Sequence, residues 1–216
     1  MAKLSRPTRP LVDLRRSDIR TLRTGTALYR VYHAGGRHAT AWNRMRDFGP
    51  TTSRFDPHLP PPHAQDRSVI YFAGSIPTAV AEVFGSTRLT ELGRDNPWLV
   101  GVRLAGPVRL LDLAGDWPTR AGTSQAISSG RRDIAREWAR AVYEEYAVDG
   151  LWYPSSMSGT TRRPGDPSRH GHAVALFDRA RPAIPRRPSL HIPLDHPAVL
   201  ASMAKLAERY GYGLIP

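Results

Sequence analysis

Alternating apolar and polar positions predict a series of short strands along the chain. Ala27–His33 alternates in this way, which places Leu28, Arg30 and Tyr32 on one face of a strand. The Gly106-Pro107 step indicates a hairpin between two apolar runs. Together, the apolar runs predict five further strands, at 68–73, 98–104, 108–113, 150–153 and 173–177.

Helical spacing of apolar residues predicts three helices. The first follows the turn at 74–77 and carries Glu82. The second spans 131–146, with Ser128 or Ser129 as its expected N-cap. The third spans 197–210, and Asp195 is expected to cap it.

The order of these segments indicates the fold class. Strands and helices do not alternate regularly, and no glycine-rich phosphate loop follows a strand, which argues against a doubly wound nucleotide fold. An α+β fold with mostly antiparallel sheets and flanking helices suits the pattern better. We expect a basic arm at 1–24, frayed or packed on the domain edge, in which Ser17 caps a short helix ending at residue 22. One domain at 25–216 follows, and its proline-rich stretch 48–66 is expected to be a loop that covers a site.

Composition removes several classes of protein. The 216 residues are 40% apolar, which suffices for one core, and no run of about 18 apolar residues is present, so no membrane span is expected. The basic start lacks an apolar stretch typical of a secretory signal, so we expect a cytoplasmic protein. The absence of cysteine removes disulfides, thiolate nucleophiles and cysteine-ligated metals.

The net charge of +12 is compatible with nucleic-acid binding, but its composition argues against that as the primary function. All of the 31 basic residues except Lys3 and Lys205 are arginine, a skew that matches the codon usage of a GC-rich genome. The first 28 residues contain no aromatic ring on which a base could stack. An acidic partner or an anionic substrate fits the charge equally well.

Three charged residues are candidates for a binding site. Arg30 lies on a strand between apolar neighbours, and a partly buried guanidinium needs an anion, either a core carboxylate or a ligand. Arg54 follows in the proline-rich stretch, where it is either solvated or a clamp on phosphate, since a planar fork donates two parallel hydrogen bonds. Glu82 is either the polar edge of its helix or a carboxylate that faces a cleft.

Uncharged and imidazole side chains complete the set of candidates. Tyr71 is either a core aromatic or a wall of the site, and Ser155, at a strand end, is either a turn residue or a binding hydroxyl. His170 and His172 share a face, but no third ligand has a suitable spacing. His58 and His63 flank a proline run as loop residues. We therefore expect no metal.

Four stretches in one order resemble the RES domain, a family named for its Arg, Glu and Ser. They are Leu28-Tyr29-Arg30, Ser53-Arg54-Phe55-Asp56, Tyr71-Phe72-Ala73 leading to Ala79-Val80-Ala81-Glu82, and Gly150 to Ser155. The resemblance covers about 27–178. It implies an ADP-ribosyltransferase-like core and an NAD-consuming toxin of a bacterial toxin–antitoxin pair.

The resemblance also implies residue roles. Glu82 and Arg30 are then catalytic, while Arg30, Arg54, Tyr71 and Ser155 bind NAD. Phosphate is a possible co-substrate, no cofactor is needed, and an Xre-like antitoxin covers the site. Cleavage of the nicotinamide–ribose bond by phosphorolysis or hydrolysis ranks first. Protein ADP-ribosylation, and a nucleic-acid-binding or non-catalytic interaction domain, remain as alternatives.

Overall fold

A nine-stranded sheet forms the body of the protein. The computed structural model describes residues 4–157 and 171–215. The strands are β1 (Ile19–Leu22), β2 (Ala27–His33), β3 (Arg46–Gly49), β4 (His63–Ala73), β5 (Leu89–Glu91), β6 (Pro97–Arg103), β7 (Val108–Asp112), β8 (Gly150–Pro154), β9 (His172–Phe177), β10 (Leu190–Pro193) and β11 (Gly213–Ile215). The helices are α1 (Ile76–Phe84), α2 (Trp117–Arg120), α3 (Arg132–Glu145) and α4 (Pro197–Tyr210).

Antiparallel pairing dominates this sheet. The strand order is β1-β7-β8-β9-β4-β2-β6-β10, and β3 pairs with β4. The β7–β8 pair is parallel, and a small separate sheet joins β11 to β5, also in parallel. The prediction of an α+β fold with mostly antiparallel strands and flanking helices is therefore confirmed.

The helices leave a space above the centre of the sheet. Ala73 and Ala173 are cross-strand partners, so their side chains lie on the same sheet face. Ala73 packs in the cluster under α1 and α4, whereas Ala173 packs in the cluster under α3. The two helical layers therefore cover different parts of one face, and small alanine side chains lie where they meet.

The N-terminal residues pack along α3 as a strap. Arg6 and Arg9 form ion pairs with Glu137 and Glu144, each at 2.6 Å. The Trp138 indole donates a 2.8 Å hydrogen bond to the carbonyl of Ser5. The predicted helix at 17–22 is wrong. A short 3₁₀ turn at 16–18 leads instead into β1, which pairs antiparallel with β7.

Long-range pairing also overrides two local predictions. The hairpin at 98–113 is wrong, since β6 pairs with β2 and β10 while β7 pairs with β1 and β8. The stretch 48–66 is only partly a loop, because β3 ends in it and β4 begins in it. Strand β10, which no local pattern predicts, lies before α4 and pairs with β6.

Two predicted helix caps are displaced by neighbouring residues. His196 rather than Asp195 caps α4, because its ring nitrogen accepts a hydrogen bond from the Ala198 amide at 3.1 Å. Ser124 caps the short turn before α3, and Arg131 occupies the N-cap position of α3 without a side-chain cap. Ser128 and Ser129 are therefore not the caps of α3.

Gly150 tests the close packing of β8 against β9. A Cβ at this position would lie 2.1 Å from the Ala175 carbonyl oxygen. We expect Gly150→Ala to lower the free energy of unfolding by about 1–3 kcal/mol, because a rigid backbone has to move. Denaturant unfolding measures the change. Gly106→Ala, whose Cβ would meet Ala183 at an ordinary 3.9 Å, is the control, and equal stability of the two variants would contradict this packing.

Candidate functional site

A cavity of about 340 Å³ lies over the sheet between α1 and the start of α3. Tyr71, Ala73, Tyr153 and Ala173 form its floor on the shared sheet face. Its volume lies in the range that small-molecule sites occupy. The two alanines of the floor leave the space that bulkier side chains would fill.

Helix α1 directs a carboxylate into this cavity. Ser75 caps the helix, and Pro77 lies in its first turn. Ala79, Glu82 and Val83 line the cavity at helical spacing, while Val80 and Phe84 are buried in the core. Glu82 is accordingly on the cavity side of α1 and remains accessible through the opening.

Ser155 holds the Glu82 carboxylate. Its hydroxyl donates a short hydrogen bond to Glu82 Oε1 and accepts one from the Met157 amide at 3.2 Å. The Ser155 amide also bonds the Gly171 carbonyl at 2.7 Å, which ties the residue to the end of the β8–β9 ladder. The sheet therefore positions the serine, and the serine in turn orients the glutamate.

The surroundings of Glu82 have opposing effects on its charge. Burial among protein atoms raises the pKa of Glu82, whereas the hydrogen bond from Ser155 and the charges of Arg54 and Arg132 lower it. The net direction is upward. Glu82 is thus a carboxylate whose ionised form depends on one hydroxyl and two guanidinium groups.

Arg30 reaches the cavity from β2. Its alternation places it with Leu28 and Tyr32, and its guanidinium lies 5.9 Å from the Tyr32 ring. Arg30 is nonetheless among the residues that line the cavity, next to Tyr29, the one residue of β2 that pairs with β4 (at Ala73) in the described range. Burial lowers the pKa of Arg30 to about 10, so the group stays cationic at neutral pH.

No carboxylate pairs with Arg30 in the part of the chain that the structure describes. Its Nη1 donates to the carbonyl of Trp42 at 3.0 Å. The alternative of a salt bridge to a core carboxylate is therefore absent from residues 4–157 and 171–215. A buried cation with only a neutral partner is suited to an anionic ligand.

Arg54 extends from a tightly held turn. Phe55 is fully buried, and its ring packs 4.6 Å from that of Tyr153. The Arg54 guanidinium donates to the carbonyls of Ser129 and Gly130, just before α3. Burial and the charge of Arg132 lower the pKa of Arg54, and Glu82 opposes this shift. The fixed backbone therefore directs Arg54 across the cavity toward α3.

Asp56 holds this turn from inside the protein. The amide and hydroxyl of Thr51 donate hydrogen bonds to Asp56 Oδ2 at 2.7 and 3.0 Å, and Arg46 forms an ion pair with the same oxygen at 3.0 Å. The other carboxylate oxygen, Oδ1, forms a hydrogen bond with Nδ1 of His58. Burial alone would raise the pKa of Asp56, but these partners hold it well below its usual range. His58, predicted as a loop residue, is fully buried in this cluster.

Two tyrosines form the polar part of the floor. Burial raises the pKa of both Tyr71 and Tyr153, so both stay neutral at physiological pH. The Tyr71 hydroxyl has no hydrogen-bond partner of normal geometry in the described residues, although Ser53 lies near enough to affect its pKa. An uncharged hydroxyl of this kind is available to a ligand.

The five predicted site residues therefore surround one cavity. Glu82, Arg30, Arg54 and Tyr71 line it, and Ser155 contacts it through Glu82. Sequence reasoning did not select Arg132, Ser128 or Tyr153, which also line it. Tyr153 lies within a motif already singled out, but no local signal separates Arg132 from Arg131 beside it.

The remaining candidates lie elsewhere. His172 stacks on Trp152, with ring centroids 4.7 Å apart, and His170 lies outside the described residues, as does most of the loop after Ser155. Over 4–157 and 171–215, no group of three or more His, Asp and Glu side chains could hold a metal ion. None of the helices in those ranges has the length and apolar character that crossing a bilayer requires.

The fold and the cavity define an α+β protein with one glutamate and several arginines around a ligand-sized space. The RES domain matches residues 27–196, and the chain belongs to the RES domain family. No curated protein sequence matches it. Its fold is similar to a chain in the crystal structure of the M. tuberculosis MbcT–MbcA toxin–antitoxin complex. The TM-score is 0.53 at 16% identity, covering 87% of this chain and 92% of that chain.

Asp56 supplies a test of how the Arg54 turn is held. We expect Asp56→Ala to lower the free energy of unfolding by about 3–5 kcal/mol at pH 7, because it leaves buried partners unpaired. Denaturant unfolding measures this, with exposed Asp66→Ala as control. Since the folded pKa of Asp56 is depressed, its contribution is present above the unfolded pKa and is lost as the pH falls through the folded one. A stability difference that persists unchanged in acid would contradict this account.

Proposed function

We propose that the protein degrades NAD by cleaving the nicotinamide–ribose bond and acts as the toxin of a toxin–antitoxin pair. The family supports this, since RES domain toxins in general process NAD. The fold similarity to the MbcT–MbcA toxin–antitoxin complex supports a toxin function. The observation that carries the proposal is Glu82, held by Ser155 in a cavity that also presents the guanidinium groups of Arg30 and Arg54.

The chemistry of NAD explains why one carboxylate is enough. Nicotinamide is a cationic leaving group in NAD, so the electron pair of the breaking C–N bond neutralises it and no general acid is needed. Positive charge then develops on the ribose, and an ionised Glu82 beside it stabilises the transition state more than the ground state. Ser155 keeps the carboxylate oriented and orients a ribose or phosphate oxygen.

The other predicted residues bind the substrate in this proposal. Arg30 and Arg54 hold the diphosphate or an incoming phosphate, because the guanidinium fork matches phosphate oxygens. Arg30 is also proposed as a catalytic residue, because in this arrangement it contacts the reacting groups of the substrate. Tyr71 packs against the nicotinamide or ribose, and its hydroxyl offers a hydrogen bond to that substrate.

The acceptor determines the product. Phosphate gives ADP-ribose 1-phosphate, water gives ADP-ribose, and a protein side chain gives an ADP-ribosylated protein. Phosphorolysis and hydrolysis rank above protein modification. The cationic groups around Glu82 favour phosphate, a small anionic acceptor, over a protein side chain. The products, separated after reaction with and without phosphate, identify the acceptor.

A protein partner is part of the proposal. A toxin of this kind needs an antitoxin, here an Xre-like protein that covers the cavity. The net charge of +12 favours an acidic interface on that partner. A nucleic-acid-binding domain would instead show steep salt-dependent affinity that is indifferent to Glu82. A non-catalytic interaction domain would bind its partner without releasing nicotinamide.

Glu82→Gln tests the catalytic proposal. We expect nicotinamide release from NAD to fall by about 100-fold or more, because the developing charge loses its counter-charge. The fold is expected to stay intact. Since burial raises the folded pKa of Glu82, its stabilising form is the protonated one, whose contribution is lost as the pH rises through that pKa. The melting temperature of the Glu82→Gln variant, which carries a neutral amide at this position, should therefore be no lower than that of the parent protein at pH 7.

The matched control is Glu91→Gln, on β5 and away from the cavity lining. It is expected to keep the parent rate of nicotinamide release. Unchanged turnover in Glu82→Gln would refute the proposed role of that carboxylate.

The pH profile gives a second test at the same site. Activity is expected to fall in acid as Glu82 takes up a proton, at a higher pH than an unperturbed glutamate because its pKa is raised. Ser155→Ala removes the hydrogen bond that lowers this pKa, so its acid limb should move further toward neutral pH. The acid limb is measured as kcat/KM for nicotinamide release from NAD, and a limb that does not move in Ser155→Ala would contradict the assigned hydrogen bond.

A further inference from the structure

Two arginines on one wall of the cavity form their hydrogen bonds with backbone carbonyls. Arg54 donates to the carbonyls of Ser129 and Gly130, and Arg132 donates to the carbonyl of Thr52 at 3.4 Å. Neither forms an ion pair with a carboxylate within 4–157 and 171–215. Their hydrogen bonds cross the gap between the Arg54 turn and the start of α3, so each side positions the cation of the other.

These two cations form a group around Glu82. The charge of Arg132 lowers the pKa of Arg54, and both charges favour the ionised form of Glu82. Like charges held this close repel each other, and one carboxylate leaves a surplus of positive charge. A multiply charged anion bound between them would remove that surplus.

A buried hydroxyl lies at the same wall. Ser128 is only 4% exposed, lines the cavity, and its Oγ has no hydrogen-bond partner among the described residues. The cap of the preceding turn is Ser124, not Ser128. The first-turn amides of α3 are in part occupied by the Asp133 carboxylate. The donors available to a ligand here are therefore side chains rather than the helix end.

Arg30 makes its contacts in a different part of the cavity wall. It lies on β2 and donates to the carbonyl of Trp42, whereas the hydrogen bonds of Arg54 and Arg132 join the Arg54 turn to the start of α3. The cavity thus presents cations in two separate places. A ligand with two anionic groups, or two ligands with one each, matches that arrangement.

We propose that Arg54, Arg132 and Ser128 form a phosphate subsite beside Glu82, separate from Arg30, and that Arg132 sets its affinity. This proposal rests on the proposed NAD cleavage and deepens it. The ligand is a phosphate group, supplied either by inorganic phosphate as acceptor or by the diphosphate of the dinucleotide. Arg132 binds it through a charge-assisted hydrogen bond, and Ser128 donates its unused hydroxyl.

Kinetics of Arg132→Gln distinguish the two sources. Loss of one charge-assisted hydrogen bond is expected to raise a KM by about 10-fold or more. A rise in the KM for phosphate with an unchanged KM for NAD assigns the subsite to the acceptor. A rise in the KM for NAD assigns it to the diphosphate. Parent values for both constants would overturn the proposal.

Arg131→Gln is the matched control. Arg131 is adjacent in sequence but exposed, pairs with Asp133 at 2.6 Å, and does not line the cavity. The Arg131→Gln substitution removes one positive charge from the same end of α3 as Arg132→Gln does. Equal effects of the two substitutions would show that general charge, rather than the subsite, is responsible, and would also overturn the proposal. Arg132→Lys is expected to recover part of the affinity because it restores the charge.

A binding measurement separates this inference from the proposed function. Inorganic phosphate and ADP-ribose are titrated against the parent, Arg132→Gln and Arg131→Gln while the melting temperature is followed, which needs no turnover. Stabilisation that is lost in Arg132→Gln alone supports the subsite even if no variant releases nicotinamide. Equal stabilisation of all three proteins would reject the subsite even if NAD is cleaved.

Discussion

The candidate site is organised around one carboxylate, Glu82, in a cavity that opens to solvent. Burial favours the protonated form of Glu82, and the Ser155 hydroxyl and the charges of Arg54 and Arg132 oppose that effect. These three partners come from the end of β8, from a loop and from the start of α3. The position of Glu82 on α1 therefore has chemical meaning only when the sheet, the loop and both helices are assembled.

The sheet supplies both the space and one of the cations. Alanines at 73 and 173 keep the floor low between the areas that α1 and α3 cover. Strand β2 pairs with β4 only at Tyr29 with Ala73 in the described residues, and Arg30 beside that pair lines the cavity. The proposed NAD chemistry uses Arg30 as a cation on the sheet, in addition to the two cations beside Glu82.

The loop that carries Arg54 is held as firmly as a core element. Fully buried Phe55 and Asp56 follow the arginine; ring packing holds the first, and hydrogen bonds and an ion pair hold the second. Their neighbour can therefore present a charge at a fixed place without help from a ligand. Long loops commonly carry function on a rigid scaffold, and here buried side chains of the loop itself contribute to that rigidity.

Local sequence determined much of this protein, including β2, α1, α3, α4, the α+β class and the identity of five residues around the cavity. Periodicity reports which face of an element is apolar, and the RES motifs mark the site residues in order. Periodicity does not report which strands pair. For this reason the hairpin prediction failed, and β1, β3 and β10 were not predicted, because each is defined by pairing with a strand distant in sequence. Only the tertiary structure selected Arg132 over Arg131, because that choice depends on which side chain the packing of α3 turns toward Glu82.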